Sequence, residues 1–163
     1  MKLEIGQNAP LFTLIDTEKQ EVSLEAFKGG NVVLLFFPLA FTGVCTTELC
    51  TIKDDLNSYN QLDAKVLAVS VDSLFTLAKF KAELNLNFTV LSDFNKRVSA
   101  QYGAQYEEFV FGMKGVAKRS AFVIDNNGVI KYAEVLEKAA DLPNFEAIKN
   151  TLASLRKEKE KVA

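Results

Sequence analysis

Asn31-Val32-Val33-Leu34-Leu35-Phe36-Phe37-Pro38-Leu39-Ala40-Phe41-Thr42-Gly43-Val44-Cys45 is the stretch on which the reading of the chain turns. Asn31 to Phe37 is almost wholly apolar and rich in β-branched and aromatic side chains, which predicts a central strand buried on both faces. The run starts after Gly29-Gly30 and stops at Pro38. Beyond a short loop, apolar residues recur at Leu49, Ile52, Leu56 and Tyr59, spaced three and four apart like one face of a helix. Cys45 extends that face back by one turn, so a buried strand leads through a loop into a helix that begins near a cysteine.

Outward from this unit the pattern repeats. Lys65 to Val71 reads as a second strand, followed by Asp72-Ser73, good N-cap residues, and a helix with Leu77, Phe80 and Leu84 on one side. A short strand is expected at Phe88 to Leu91 and a short helix at Asn95 to Tyr102, ending at Gly103. Glu107 to Lys118, with Gly112 and Gly115, reads as an irregular connection. Arg119 to Ile124 and Val129 to Leu136 then form strands joined by Asp125-Asn126-Asn127-Gly128, whose turn chemistry predicts an antiparallel hairpin. A last helix turns Phe145, Ile148, Leu152 and Leu155 inward, and the Lys/Glu alternation of Arg156 to Lys161 reads as a solvated helix end, frayed from about residue 157. The class is therefore α/β, with a mixed central β-sheet and helices on both faces, an outline that resembles the thioredoxin-like fold. No repeat or linker divides the chain, so residues 1–163 are taken as one domain. Sites in such sheets collect where strands end and helices begin, which directs attention to Pro38 to Cys45.

Composition narrows the chemistry further. The 163 residues are 48% hydrophobic and 25% charged, with a formal charge of −2 and no basic run, so neither nucleic acid nor an anionic membrane is an expected partner. Glu4, Gln7, Asn8 and Pro10 interrupt the first residues where a signal peptide would be apolar, and a cytoplasmic location is expected. The longest apolar run, Val32 to Phe41, has ten residues, against about 18 or more for a membrane span. There is no His, which removes Ser-His-Asp and Cys-His catalysis and His-ligated zinc. Two Cys, Cys45 and Cys50, fall short of the four ligands of a closed zinc site, so no metal is expected.

A Cys in the first turn of a helix faces unpaired backbone N–H groups and the positive end of the helix dipole, both of which favour the nucleophilic thiolate. An ordinary thiol of pKa about 8.5 is roughly 3% ionised at pH 7, so moving toward about 6 gains up to some thirtyfold in thiolate. The plainer readings are a buried hydrophobic Cys, a loop hydroxyl at Thr42 and a solvated charge at Arg119. Glu48, one turn from Cys45, either orients a cation or faces solvent. Asp72, Asp93 and Asp125 each follow a strand, where capping and turn formation are commoner than a Mg²⁺ or phosphoacceptor site.

Pro38, Thr42 and Cys45 match the P-x-x-x-T-x-x-C signature of the peroxiredoxins, and the run Phe41 to Cys50 resembles the group of bacterioferritin comigratory protein (PrxQ) and alkyl hydroperoxide reductase E. Val69 to Ser73, Leu91 to Asp93 and Arg119 to Asp125 add matches in the same order. The resemblance implies a thiol peroxidase for hydrogen peroxide and organic hydroperoxides. Cys45 would be the peroxidatic thiolate, passing through a sulfenic acid, and Thr42 a hydroxyl that aligns thiolate and peroxide. Arg119 would be the fixed cation beside both, and Pro38 the residue that shapes and shields the loop. It implies no cofactor. Cys50 stands where many members of the group carry a resolving cysteine. On an ideal helix, residues five apart have Cα atoms roughly 8.7 Å apart, beyond the roughly 7 Å a disulfide spans, so a Cys45–Cys50 bond requires local unwinding of the helix. A thioredoxin or glutaredoxin-type reductant would then recycle the pair. The alternatives are a one-cysteine enzyme resolved by an external thiol, with Cys50 as packing, and a non-enzymatic redox sensor or holdase. Both monomer and homodimer occur among relatives.

Overall fold

The run that opens the argument is strand β3, Asn31–Phe36, and every one of its residues is buried. In this computed structural model, which describes residues 2–162, β3 sits inside a seven-stranded sheet. The other strands are β1 (Thr13–Asp16), β2 (Glu21–Ser23), β4 (Ala64–Ser70), β5 (Thr89–Ser92), β6 (Ser120–Ile124) and β7 (Ile130–Val135), in the order β2-β1-β5-β4-β3-β6-β7. β3 and β4 run parallel, as do β4 and β5, whereas β6 is antiparallel to both β3 and β7, and β1 is antiparallel to β2 and β5. The sheet is mixed, as the alternation of strands and helices followed by a hairpin predicts.

Alternate residues of β3, with Phe37 just beyond it, feed two cores. Val33, Leu35 and Phe37 face Cys45, Leu49 and Ile52 of α1 (Gly43–Asp54), Tyr59 of α2 (Leu56–Gln61), Leu77 and Phe80 of α3 (Leu74–Leu84), and Ile148 and Leu152 of α5 (Phe145–Val162). Val32, Leu34 and Phe36 face Phe12, Leu14, Val98 of α4 (Arg97–Gln101) and Tyr102. Each such side chain contributes about 2 kcal/mol of burial, which is why a continuous apolar run can lie only at the centre of the sheet. The cover is uneven: four helices lie over one face, while the other is closed by the short α4 and by chain from the first thirty residues.

Register is what assembles the functional region. Phe36, the last residue of β3, pairs with Val69 of β4 and with Ser120, the first residue of β6. Ser120 in turn pairs with Val135, the last residue of β7. The chain entering β6 and the chains leaving β3, β4 and β7 therefore meet at one end of the sheet's strands, and Arg119, a residue before β6, arrives beside the loop that carries Cys45.

Three features depart from the sequence reading. β1 and β2, four and three residues long, were not anticipated, because strands this short carry little alternation. The helix expected through Leu56 and Tyr59 breaks at Asp55 (φ −110°, ψ 14°), whose carboxylate accepts hydrogen bonds from Ser58 Oγ and Lys149 Nζ at 2.6 and 2.7 Å. The charged tail expected to fray from about residue 157 continues as helix to Val162, with Arg156 paired to Glu160 at 3.4 Å and Lys159 to Asp63 at 3.5 Å.

Candidate active site

The loop between β3 and α1 is held from the neighbouring parallel strand. Asp72, just past β4, accepts hydrogen bonds through Oδ2 from the Ala40 backbone N–H at 2.8 Å and from Ser70 Oγ at 2.7 Å. Phe41 sits in the left-handed region at φ 65°, an uncommon conformation for an aromatic residue, and its ring meets Phe80 edge-on at 5.2 Å. Pro38 is buried in this loop. Thr42 is the N-cap of α1, exposed, and its hydroxyl donates to the Leu39 carbonyl at 2.8 Å instead of capping the helix. The first turn of α1 is thus without a side-chain cap and contains no acidic residue.

Cys45 lies in that first turn, completely buried, where the helix N-terminus favours negative charge. Arg119, 1% exposed, points three of its nitrogens at named partners. Nη2 donates to Cys45 Sγ at 3.2 Å, Nη1 donates to Glu48 Oε1 at 2.7 Å, and both Nε and Nη2 donate to the Ala139 carbonyl at 3.3 and 3.0 Å. Burial opposes the charge on Arg119, but Glu48 and Cys45 together hold its pKa above the usual arginine value. Glu48, also completely buried, has its pKa pushed up from 4.5 to about 7 by burial, which Arg119 only partly offsets. Glu48 Oε2 is buried and has no hydrogen-bond partner, as suits a carboxyl whose proton is retained near neutrality.

Cys45 and Arg119 thus sit together at the head of α1, with Thr42 at its cap and Pro38 buried in the loop that leads to it. Cys50, half-buried, is further along the same unbroken helix, and both thiols are free. Glu48 was legible only as an ambiguous carboxylate; the structure resolves it as the partner of Arg119. The Ala139 carbonyl was not anticipated and no side-chain pattern could have shown it, since the group is backbone. The strand-end aspartates have local partners: Asp72 ties the loop, Asp93 accepts from the Val98 and Ser99 N–H groups at the start of α4, and Asp125 accepts from the Asn127 and Val129 N–H groups in the β6–β7 turn. No group of three or more Asp, Glu, Cys or His side chains that could hold a metal occurs among the described residues. No helix among them is long and apolar enough to cross a membrane. A buried thiol between a helix N-terminus and a fixed guanidinium can be held as a thiolate, and the same guanidinium can stabilise charge appearing on an oxygen brought up to the sulfur.

Residues 5–133 match the AhpC/TSA family. The chain is 38% identical over 158 residues to the Mus musculus protein named thioredoxin-dependent peroxide reductase, mitochondrial; the match takes in 91% of this chain but only 58% of that protein's length. It is 40% identical over 132 residues to a putative peroxiredoxin bcp of Coxiella burnetii, covering 80% of this chain and 87% of that one. The crystal structure of peroxidoxin BcpB from Mycobacterium tuberculosis superposes with a TM-score of 0.80 at 28% identity, covering 94% of this chain and 97% of that one.

Proposed function

Because the chain belongs to the AhpC/TSA family, we propose that it is a thiol-dependent peroxidase acting on hydrogen peroxide and organic hydroperoxides, with Cys45 as its nucleophile. The observation that carries this reading is the 3.2 Å contact from Arg119 Nη2 to Cys45 Sγ, made by a guanidinium that Glu48 and Ala139 hold from its other sides. The Cys45 thiolate donates an electron pair to the nearer peroxide oxygen, and a sulfur–oxygen bond forms as the oxygen–oxygen bond breaks. The distal oxygen leaves as hydroxide or alkoxide and takes up the proton given up when the thiol ionised. Sulfur is oxidised by two electrons to the sulfenic acid, and water or an alcohol is the product. Arg119 stabilises first the thiolate and then the charge growing on the leaving oxygen. The Thr42 hydroxyl, which spends its proton on the Leu39 carbonyl, retains lone pairs that can accept the peroxide O–H and align it. Pro38, buried in the loop before Thr42, would shape that loop.

In the second half of the cycle, Cys50 attacks the sulfenic sulfur, forming a disulfide and releasing water. A dithiol reductant of the thioredoxin or glutaredoxin type then supplies two electrons. α1 is continuous from Gly43 to Asp54, so this step requires its first turns to open. The same continuity favours, as a second reading, direct attack on the sulfenic acid by an external thiol. A reducing compartment such as the cytoplasm would keep both thiols ready. Stopped-flow oxidation by peroxide of the wild type, Cys45→Ser and Cys50→Ser decides among these. Loss of rapid oxidation in Cys45→Ser alone, with Cys50→Ser oxidising once and failing to recycle with thioredoxin, supports the full scheme. Unimpaired recycling of Cys50→Ser selects the external thiol, and a wild type that stalls after one equivalent with every dithiol reductant would make the protein a sensor.

A further inference from the structure

Beyond β7 the chain runs without regular structure to Pro143, yet this strap supplies the Ala139 carbonyl that accepts from Arg119 Nε and Nη2. Nη2 is the nitrogen that also donates to Cys45 Sγ, so the position of Ala139 bears directly on where the cation stands relative to the sulfur. Glu137, Lys138 and Ala140 are exposed, so burial does little to fix this part of the strap, although Pro143 at its far end is buried. Its start is tied by the Leu136 N–H donating to the Arg119 carbonyl at 2.9 Å. Further along, the Tyr106 hydroxyl donates to the Glu137 carbonyl at 2.9 Å. Apart from Arg119 itself, Tyr106 is the side chain that hydrogen-bonds to the strap's backbone next to Ala139; at the far end Glu134 Oε1 accepts from the Asn144 N–H at 2.9 Å.

We propose that Tyr106 is a positioning residue for Arg119: its hydroxyl pins the Glu137 backbone and thereby keeps the Ala139 carbonyl seated on the guanidinium that faces Cys45. Tyr106 can do so because it is itself rigidly placed. It lies near the base of an irregular hairpin that returns the chain to β6, where the Tyr106 N–H donates to the Val116 carbonyl at 2.8 Å, the Gly115 N–H donates to the Tyr106 carbonyl at 3.1 Å, and Gln105 bridges Ala117. Its ring packs against Phe109 at 4.9 Å and under Lys118 Nζ at 5.7 Å. The charge of Arg119 is felt at the phenol, lowering a pKa that burial and Glu137 otherwise raise, which places hydroxyl and guanidinium in one electrostatic neighbourhood. The side-chain link beside it, Lys118 Nζ to Glu137 Oε1 at 2.8 Å, involves a carboxylate 76% exposed, and such surface pairs hold little.

The experiment compares Tyr106→Phe with the parent in full-length protein carrying Cys50→Ser in both arms, so that a single thiol reports. Phe keeps the ring packing and removes only the hydroxyl. The pH midpoint of Cys45 alkylation is expected to rise by about half a unit, and the rate constant for oxidation by hydrogen peroxide at neutral pH to fall about threefold, the share of one hydrogen bond that reaches the guanidinium. An unchanged midpoint overturns the assignment, including when thermal stability falls, since that combination makes Tyr106 a purely structural residue. The proposal rests on the peroxidase reading for its rate arm alone. If the parent itself fails to react rapidly with peroxide, the peroxidase reading falls, while the alkylation midpoint still decides the role of Tyr106.

Discussion

Glu48→Gln tests how one buried cation serves two acidic groups. Gln has nearly the same volume and keeps a carbonyl oxygen to accept the 2.7 Å hydrogen bond from Arg119 Nη1, but it removes the negative charge. With Cys45 Sγ 3.2 Å from Nη2, the carboxylate and the sulfur contact two different nitrogens of a single guanidinium. Side chains three residues apart on a helix lie about 6 Å from each other, where two like charges repel by about 3 kcal/mol at an effective dielectric of about 20, or about two pH units if Glu48 is fully ionised and about one if it is half ionised. An ionised Glu48 therefore competes with the thiolate for Arg119, and a protonated Glu48 does not. The expected result, in a Cys50→Ser background titrated by thiolate absorbance from about pH 5 to about pH 9, is a midpoint for Cys45 about one unit lower in Glu48→Gln than in the parent. A midpoint that is unchanged or higher would refute the reasoning. It would mean that the carboxylate acts by orienting Arg119 in a way that Gln does not reproduce, and that its charge is of no consequence to the sulfur.

Two further outcomes follow from the same contacts. Since burial raises the Glu48 pKa from 4.5 to about 7, the folded protein keeps a proton that the unfolded chain releases in this interval, so stability is highest below about pH 4.5 as far as this group is concerned and falls as pH rises through 7. The loss amounts to at most about 3 kcal/mol, and urea unfolding at the two ends of the window should show it in the wild type and not in Glu48→Gln. Asp72→Ala removes the acceptor shared by the Ala40 N–H and Ser70 Oγ, and should cost about 1–3 kcal/mol of stability and slow peroxide oxidation of Cys45, because the loop carrying Pro38 and Thr42 loses its tie to β4; wild-type unfolding and oxidation rates in this variant would show that the loop is fixed by packing alone.

The parts of the molecule legible in the sequence are those in which a single segment carries its own signal. β3 announces itself because a strand covered on both faces must be apolar at every position, and α3 because Ser73 caps it, accepting from the Thr76 N–H at 3.1 Å. The β6–β7 hairpin is signalled by Asp125-Asn126-Asn127-Gly128, where the Asp125 carboxylate organises the turn and Gly128 takes φ 81°. Cys45, Thr42 and Pro38 lie within eight consecutive residues and form a readable motif. What stayed out of reach depends on groups far apart in the chain. The Glu48–Arg119 pair joins α1 to the start of β6, and its formation is decided by the register of Phe36 against Ser120, which no local pattern encodes. The Ala139 carbonyl is farther still from recognition, because any residue supplies a carbonyl and only the fold says which one meets the guanidinium.

The absence of His acquires a physical meaning at this site. Arg119 stays charged at any pH the protein meets, and its partners raise its pKa further, so it cannot act as a switch. The carboxyl on the guanidinium that exchanges a proton near neutrality is Glu48. Burial raises the Glu48 pKa, Arg119 only partly offsets it, and Oε2 is left without a partner; a buried cluster with one permanent positive charge accommodates one negative charge at little cost and a second only at the expense of both. While Glu48 holds its proton, the whole charge of Arg119 is available to the sulfur; as that proton leaves, the carboxylate claims a share. On the proposed chemistry, the role that a histidine plays in other thiol enzymes, setting the pH at which the nucleophile is ready, falls here to a carboxyl one helical turn away, working through an arginine that never titrates.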